Sequence, residues 1–382
     1  MILKFKNFKG RVLPFILFAI FAASTFLVSG QEIPSNIPRY NSSYKPTPTP
    51  PPTNPNKVVV TVPNKNIVVA PTPPVVSKNK EKIKEVKNKK QILNEGDTPA
   101  EKSITVSPNV AVNLCVSEGN IKINGWDRNE IRAYINGGSQ VGFQIQQKDK
   151  ASGKAALVKI LGFDPAKNNE ADAEECLSGD EIEIDLPRGA SVTVKGAECD
   201  TTIESVKKVN VENRGGNIFL NEVKYGISAK TYYGSITVGK SSGPMILETS
   251  NGNIVAYEVS PSEIGDSFRA KTINGMITLQ QIEHLLAEIS SNSGSIRFNS
   301  EFLSGGQYTF GTLDGSILLT IPEKSSCKIT ASYGGQFTSE IPLQNQKITN
   351  PGSVKNLTGQ IGDGEAALSL TTYSGRINIK KQ

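Results

Sequence analysis

The sequence is poor in the side chains on which most catalytic and metal sites depend. Its 382 residues include one His, one Trp, three Met and four Cys. A Ser-His-Asp triad would have to use His284, and no G-x-S-x-G nucleophile elbow accompanies it. The sequence also lacks H-E-x-x-H, G-x-x-x-x-G-K-[ST] and the Ca-binding G-G-x-G-x-D repeat. We therefore expect no catalytic, cofactor-binding or metal-binding residues, and we interpret His284 as structural.

Charged and hydrophobic residues are also few for a compact enzyme, at 20% and 37% of the chain. With 34 Gly and 22 Pro, this composition favours strands and turns over helices. The net charge of +6 arises in the N-terminal part, because residues 1–100 carry +10 and leave −4 for residues 101–382. A mildly acidic folded part predicts no nucleic-acid partner.

The chain opens with a basic segment and a largely apolar run, Val12–Val28, inside residues 1–30. The run ends in V-S-G, and small residues there suit signal peptidase, which predicts cleavage between Gly30 and Gln31. The run is at the lower length limit for a membrane span, so an uncleaved membrane anchor is the alternative. Either interpretation predicts export to the cell envelope, the surface or the periplasm.

Residues 31–101 have the composition of a disordered linker. Thirteen of the 22 prolines lie between Pro34 and Pro99. Because proline has no N–H donor, the stretch Tyr44–Pro55 suits polyproline II and neither helix nor sheet. A basic stretch, Lys78–Lys90, follows and is suited to attachment to a membrane or to anionic cell-wall polymer. The alternative is that this stretch is simply solvated.

Export permits disulfides, and four cysteines allow three pairings. If the turn at Pro187–Gly189 folds one strand back on the next, Cys176 and Cys199 lie opposite each other, and we predict that pair. The alternative is that the cysteines are free and buried, as small hydrophobic residues.

From about residue 103 the sequence alternates apolar and polar residues, as strands do. A Gly followed two residues later by Ile or Phe then recurs about every 20 residues, which indicates stacked units. Positions five before and two after that Gly are mostly apolar, which predicts a strand, a corner and a second strand in each unit. The glycines stand at positions 216, 234, 252, 275, 294, 315, 335 and 375.

The pattern predicts an all-β fold, a single-stranded right-handed parallel β-helix (β-solenoid) of about 20 residues per coil. The domain is predicted to span residues 102–382, with N-terminal coils and a loop insertion over 102–200 and regular repeats over 201–382. The last interval between glycines, of 40 residues, predicts one degenerate coil.

Three further predictions concern the corner. Glycine is expected because the backbone angles there would be forbidden to a residue with a Cβ. A hydroxyl three residues before it is expected to bond the backbone of its own turn or of the next coil. Tyr232, Tyr333 and Tyr373 share the position two before the Gly, where exposed rings would suit a sugar or a protein partner. The hydroxyl residues are Thr231, Thr249, Thr272, Ser291, Thr312, Ser332 and Thr372.

The repeat units resemble the bacterial putative-adhesin domain family, a β-strand-repeat family of unknown function. The similarity lies in S-A-K-T-Y-Y-G-S-I-T-V, L-E-T-S-N-G-N-I-V-A and R-A-K-T-I-N-G-M-I-T-L. The opening G-N-I-K-I-N-G-W-D and the ending from Ile361 to Ile379 extend it to about residues 103–382. The resemblance implies a right-handed β-helix and an exported, cell-envelope context, and it supplies no catalytic residues.

We interpret the chain as an exported, non-enzymatic surface protein whose solenoid presents a rigid, adhesin-like face to an unknown surface glycan or protein. One alternative is a polysaccharide-active β-helix enzyme, a lyase or hydrolase, which would need carboxylates clustered in an outward column. The column that contains Glu248, Lys271 and Ser290 shows no such cluster, and Glu248 with Lys271 predicts a cross-strand ion pair. The other alternative is an envelope regulatory scaffold.

Overall fold

The computed structural model describes residues 100–163 and 176–382, and every regular element there is a β-strand. Within these ranges no helix has the length and hydropathy needed to cross a membrane. The 24 strands are β1 Ala100–Trp126, β2 Glu130–Asn136, β3 Gln140–Lys148, β4 Ala155–Phe163, β5 Leu177–Pro187, β6 Ser191–Glu204, β7 Lys208–Gly215, β8 Ile218–Asn221, β9 Ile227–Tyr233, β10 Ile236–Gly239, β11 Met245–Asn251, β12 Ile254–Val259, β13 Ser267–Asn274, β14 Ile277–Ile282, β15 Leu286–Ser291, β16 Ile296–Asn299, β17 Gln307–Thr312, β18 Ile317–Ile321, β19 Cys327–Tyr333, β20 Phe337–Ser339, β21 Gln344–Thr349, β22 Lys355–Ile361, β23 Ala366–Thr372 and β24 Ile377–Lys381.

Each regular coil contributes two strands that stack on the equivalent strands of neighbouring coils. The strands before the corner glycine (β7, β9, β11, β13, β15, β17, β23 and β19) form the first-strand face, and those after it (β8, β10, β12, β14, β16, β18, β24 and β20) form the second-strand face. All neighbours within each face are parallel. Leu247 is the register partner of Ala229 and Ala270, as the repeat columns predict. The β-solenoid is confirmed.

Inward-facing apolar side chains form one continuous core from Val106 to Ile379. In β11 and β12, for example, Leu247 and Ile254 are fully buried, while the adjacent Ile246 and Val255 face outward. Burying a side chain of this size contributes about 1.5–3 kcal/mol. Because each coil covers the apolar side of the next, the core depends on stacking rather than on any single coil.

The corner glycines are required mainly by close approach between coils. Gly216 and Gly234 have φ angles of 98° and 149°, in the region that favours glycine, but the later corner glycines do not. A Cβ on Gly275 would lie 1.9 Å from the carbonyl oxygen of Gly252, and a Cβ on Gly294 would lie 1.7 Å from that of Gly275. The prediction from backbone angles is therefore right at the first two corners and wrong at the later ones.

The predicted role of the corner hydroxyls is confirmed at six of the seven positions and wrong at Ser332, whose side chain bonds no other described residue. Thr249 Oγ1 donates to the carbonyl oxygen of Gly234 at 2.8 Å, and Thr272 Oγ1 donates to that of Gly252 at 3.0 Å. The hydroxyl thus bonds the corner of the adjacent coil. Thr231, Ser291, Thr312 and Thr372 make the same bond.

A second corner, where the chain leaves the second strand, contains a left-handed residue in each of five successive coils. Ser205, Glu222, Lys240, Glu258 and Gln281 have φ angles between 47° and 57°. For a residue with a side chain this conformation costs roughly 1–2 kcal/mol, which the stacking of the coils must offset. The sequence does not mark this column, because neither glycine nor asparagine occupies it.

At the C-terminal end the order of the coils in space differs from their order in the chain. Strand β23 lies between β17 and β19, so Leu370 is the register partner of both Phe310 and Ala331. Strand β24 lies likewise between β18 and β20. The chain passes over one place in the stack, forms β19 and β20, and returns with its last coil to fill the gap.

On the first-strand face, the outer C-terminal edge consists of antiparallel strands. β22 pairs antiparallel with β19, and β21 pairs antiparallel with β22. The degenerate coil predicted between Gly335 and Gly375 is therefore wrong, since the insertion is an edge hairpin. Its side chains in Gln344–Thr349 are exposed throughout, so they add little to the core.

The N-terminal end has the same arrangement. Strand β1 lies between β6 on one side and β4 and β5 on the other, all parallel. Ile121, for example, is the register partner of Ile182 and of Thr201. Strand β3 pairs antiparallel with β4, and β2 lies between β5 and residues 100–105, the start of β1, antiparallel to both. From Val106 onward β1 thus lies inside the stack, as β24 does at the other end.

Candidate functional site

The three tyrosines predicted to share an exposed edge do not share it. Tyr232 and Tyr373 are 53% and 60% exposed, but Tyr333 is only 4% exposed. The corner after β19 is one residue shorter than the corner after β23, because Tyr333 is the register partner of Thr372 and Phe337 that of Ile377. Tyr333 therefore takes the inward position, and Ser332 turns outward in its place. The predicted surface contact at Tyr333 is wrong.

Tyr232 and Tyr373 belong to separate parts of the surface. Tyr232 lies in β9 and Tyr373 directly follows β23. Four other strands of the first-strand face lie between these two: β11, β13, β15 and β17. Five strand spacings of ~4.8 Å place the two side chains ~24 Å apart along the stack. A single small ligand cannot contact both, so each tyrosine must be considered with its own neighbours.

Tyr232 forms part of a shallow cavity of about 690 Å³ on the first-strand face, which we name the tyrosine groove. Its ring and that of Tyr233 meet edge to face, with centroids 4.6 Å apart and an interplanar angle of 81°. Tyr233 is 57% exposed. The lining residues are Lys195, Gly196, Glu212, Asn213, Arg214, Lys230, Thr231, Tyr232, Tyr233 and Ser250.

Two glycines make room for polar side chains at the groove. Gly215 is the register partner of Tyr233, and a Cβ there would lie 2.4 Å from Glu198 Oε2. A Cβ on Gly196 would lie 2.4 Å from Asn213 Oδ1, so glycine leaves room for that side chain. Asn213 is buried, and its Nδ2 donates to the carbonyl oxygen of Cys199 at 3.0 Å. The backbone under the rings is thus fixed.

A row of charges of alternating sign runs along one side of the groove and ends at Glu248, outside its lining. Lys195, Glu212, Lys230 and Glu248 are successive register partners on β6, β7, β9 and β11. Lys230 Nζ lies 3.9 Å from Glu248 Oε2, whereas the predicted ion pair between Glu248 and Lys271 does not form. Exposed pairs at this distance contribute roughly 0–1 kcal/mol, so a ligand can compete for these cations.

Arg214 completes the set of cations around the rings. Its Nε lies 3.9 Å from Glu198 Oε1, and both side chains are more than half exposed. Exposed tyrosine rings stack on the apolar faces of sugars, and Lys and Arg donate hydrogen bonds to hydroxyl or carboxylate oxygens. The groove therefore combines the aromatic and cationic groups that can bind a sugar. Among the described residues, no three His, Cys, Asp or Glu side chains converge as a metal site.

Tyr232 was predicted from the sequence as a contact residue, whereas the tyrosine and the charged residues around it were not. Tyr233 follows it directly, and Arg214 stands two before Gly216, the same corner position as Tyr232. Extending the repeat columns back to β6 would have placed Lys195 beside Glu212. That step requires knowing that β6 is the neighbour of β7, which the sequence pattern before the first corner glycine does not reveal.

The predicted disulfide is wrong. Cys176 is bonded to Cys115, with their Cα atoms 4.7 Å apart, and Cys199 is free and buried. Strands β5 and β6 lie on opposite sides of β1, so Pro187–Gly189 does not fold one back on the other. Cys176 directly precedes β5 and adjoins Cys115 of β1 instead.

The free thiols and the single histidine are buried in the stack. Burial raises the pKa of the Cys199 thiol and raises that of Cys327 to about 11, so both stay protonated at neutral pH. His284 is fully buried, and its Nε2 lies 2.9 Å from the carbonyl oxygen of Gly243. The predicted cleavage site at Gly30 and Gln31 lies outside the described residues.

The comparisons with known proteins identify a family. Residues 50–380 match the family described as Toastrack DUF4097, which confirms the resemblance drawn from the repeat units. The sequence matches no curated protein.

Two solved structures are similar at low identity. A crystal structure described as a putative cell adhesion protein from Clostridium sporogenes is 13% identical, with 75% of this chain and 100% of that chain covered and a TM-score of 0.21. One described as a putative lipid binding protein from Parabacteroides distasonis is 14% identical, with 75% and 97% covered and a TM-score of 0.29. Neither likeness bears on what this chain binds.

Proposed function

We propose that this chain, which belongs to the Toastrack DUF4097 family, is an exported, non-enzymatic surface protein that binds a surface glycan through the tyrosine groove. The observation that carries the proposal is the pair of rings at Tyr232 and Tyr233, each more than half exposed above a fixed backbone. A partner that covers both rings would remove that apolar area from water.

The rigidity of the face supports recognition. The strands beneath the groove are held by parallel neighbours on both sides, so the rings need no ordering of the backbone when a ligand binds. Preorganisation of this kind reduces the entropic cost of binding. The cations of Lys195, Arg214 and Lys230 would then favour a glycan that carries carboxylate groups.

The exported location is supported by two features. The disulfide between Cys115 and Cys176 suits an oxidising compartment. The basic and apolar segment in residues 1–30 suits a signal peptide or anchor. N-terminal sequencing of the protein recovered from its native host tests this part of the proposal. A mature chain that starts at Gln31 indicates cleavage, whereas recovery from the cytosol would contradict export.

The glycan proposal is tested by applying the full chain to an array of acidic and neutral glycans, followed by titration of the best ligand. Replacing both rings, Tyr232→Ala with Tyr233→Ala, should weaken binding roughly tenfold to a hundredfold, since each stacked ring contributes about 0.5–1.5 kcal/mol. Tyr225→Ala is the matched control, because Tyr225 is 54% exposed and lies outside the groove.

Three results would overturn parts of the proposal. Binding of no glycan would leave a protein partner as the ligand to seek with the same variants. Unchanged binding by the double variant would place the site elsewhere on the solenoid. Sustained release of reducing sugar from acidic polysaccharide would identify a polysaccharide-active enzyme instead.

A further inference from the structure

The second-strand face carries an unusual distribution of charge. Three outward columns run along it from β8 to β24 without an acidic position, and beyond them Glu340 directly follows Ser339 of β20, the register partner of Ile379. The columns are Asn217, Ser235, Asn253, Met276, Ser295, Ser316 and Arg376; Phe219, Thr237, Val255, Thr278, Arg297, Leu318 and Asn378; and Asn221, Gly239, Tyr257, Gln280, Asn299, Thr320 and Lys380.

The charged members of these columns, Arg297, Arg376 and Lys380, lie together at the C-terminal end of the face. They surround a cavity of about 240 Å³, which we name the arginine cleft. All three side chains are exposed, and none makes an ion pair or side-chain hydrogen bond with another described residue. The cleft is lined by Ser295, Arg297, Ser316, Ile317, Leu318, Arg376, Asn378 and Lys380.

The intercalation of β24 creates this cleft. Arg376 directly precedes β24, and Asn378 and Lys380 follow it at alternate, outward positions. Because β24 pairs with β18, and β18 pairs with β16, Leu318 lies between Arg297 and Asn378. Arg376 and Lys380 therefore lie on one side of the apolar side chain of Leu318, and Arg297 of β16 lies on the other.

Two carboxylates beside these strands accept hydrogen bonds from other groups. Asp314, at the corner before Ser316, accepts a hydrogen bond from Ser374 Oγ at 2.9 Å. Glu340, beyond the end of β20, accepts one from the backbone N–H of Lys381 at 3.1 Å. Neither lines the cleft. The three cations thus have no counter-charge within the cleft, although residues 101–382 carry a net charge of −4.

We propose that the arginine cleft binds a phosphate ester group, at a site separate from the tyrosine groove. Like charges placed together repel, and an oxyanion between them removes that repulsion. The planar guanidinium groups of Arg297 and Arg376 match phosphate oxygens bidentately, and Lys380 adds a compact charge. Ser295, Ser316 and Asn378 supply further donors at the rim. A phosphorylated polymer and a phospholipid headgroup both carry this group.

Titration of the full chain with inorganic polyphosphate tests the proposal, together with sedimentation with vesicles of phosphatidylcholine alone or mixed with phosphatidylglycerol. Arg297→Ala and Arg376→Ala should each weaken polyphosphate binding about tenfold or more. Arg269→Ala is the matched control, because it removes the same charge from the first-strand face, where Arg269 pairs with Glu288. The basic N-terminal stretch is present in every chain and contributes equally to all.

Each outcome decides the proposal. Loss of polyphosphate binding in both cleft variants, with Arg269→Ala unchanged, supports the site and a soluble phosphate source. Loss confined to the phosphatidylglycerol vesicles supports the site with a headgroup source. Equal affinities in all four chains, or an equal loss with Arg269→Ala, would show that only general electrostatic attraction operates and would overturn the proposal. Glycan binding through Tyr232 and Tyr233 is measured separately and does not depend on this result.

Discussion

At the residue scale, the coils approach each other most closely at the corner glycines. A carbonyl oxygen of one corner occupies the space that the Cβ of the next corner would need, at 1.7–2.2 Å in the column from Gly234 to Gly375. The neighbouring atom is backbone that is held on both sides by parallel strands, so it cannot move aside. The backbone of each corner therefore requires glycine at the equivalent position of the next corner.

The first prediction follows from that approach. Gly275→Ala should lower the free energy of unfolding by about 1–3 kcal/mol, because the added methyl group meets the carbonyl oxygen of Gly252. The measurement is urea unfolding followed by circular dichroism. Gly311→Ala is the matched control, since a Cβ at Gly311 meets nothing within 4 Å. Equal effects of the two substitutions would contradict the close-approach explanation.

The second prediction concerns pH. Burial lowers the pKa of His284 below its usual value of 6.5, although Asp266 and Glu283 favour the proton. The unfolded chain therefore takes up this proton at higher pH than the folded chain does. The contribution of His284 to stability is fully present above about pH 6.5 and declines below it, by at most about 1.4 kcal/mol per pH unit.

The corresponding variant is His284→Gln, which retains a donor for the carbonyl oxygen of Gly243. The loss of stability between about pH 7 and pH 5 should be smaller in the variant than in the wild-type chain. Unfolding free energies from urea titrations at both pH values give the comparison. Parallel pH profiles would show that the pKa of His284 is the same in the folded and the unfolded chain, which would contradict the prediction.

Residue roles could be predicted from the sequence where a repeated column carries a distinctive side chain. The hydroxyl of Thr249 was predicted to bond backbone, and it does. The left-handed corner at Lys240 and Glu258 could not be predicted, because no glycine marks it. Its conformation is imposed by the stacked strands on either side, which is a tertiary effect.

At the element scale, the strands and their alternation could be predicted but their order could not. Each first strand presents an apolar residue at the same place, so the pattern at Leu370 suits a position beside Phe310 or beside Ala331 equally well. The sequence therefore says which residues face inward and not which coil is next to which. The same ambiguity hid the pairing of Cys115 with Cys176.

The third prediction concerns the element that the disulfide secures. The bond joins β1 to the start of β5 across a sequence separation of 61 residues. Replacing both cysteines, Cys115→Ala with Cys176→Ala, should reduce the free energy of unfolding by about 2–4 kcal/mol, because the unfolded chain loses a constraint. A reducing agent should lower the melting temperature of the wild-type chain and leave that of the double variant unchanged. Sensitivity of the double variant would point to Cys199 or Cys327 instead.

At the scale of the whole molecule, the intercalation of the terminal coils affects both the stability of the fold and the proposed arginine cleft. From Ala111 onward β1 has parallel neighbours on both sides, as β24 does, and antiparallel strands extend the stack outward: β3 beside β4, β2 beside β5, and β22 and β21 beside β19. An open edge of unpaired backbone invites association with other chains. Moving the terminal coils inward also places Arg376 and Lys380 on a face that is held from both sides.

The fourth prediction tests this architecture by hydrogen exchange. Amides of β23 and β24 should exchange as slowly as those of the central strands β13 and β14, although chain termini usually fray. Amides of β21 should exchange much faster, because its side chains are exposed and it pairs on one side only. Mass spectrometry of peptides from the full chain resolves these segments, with β13 and β14 as the internal reference. If residues 366–381 exchanged as fast as β21, the last coil would not lie inside the stack, and the arginine cleft would lose the strand that assembles it.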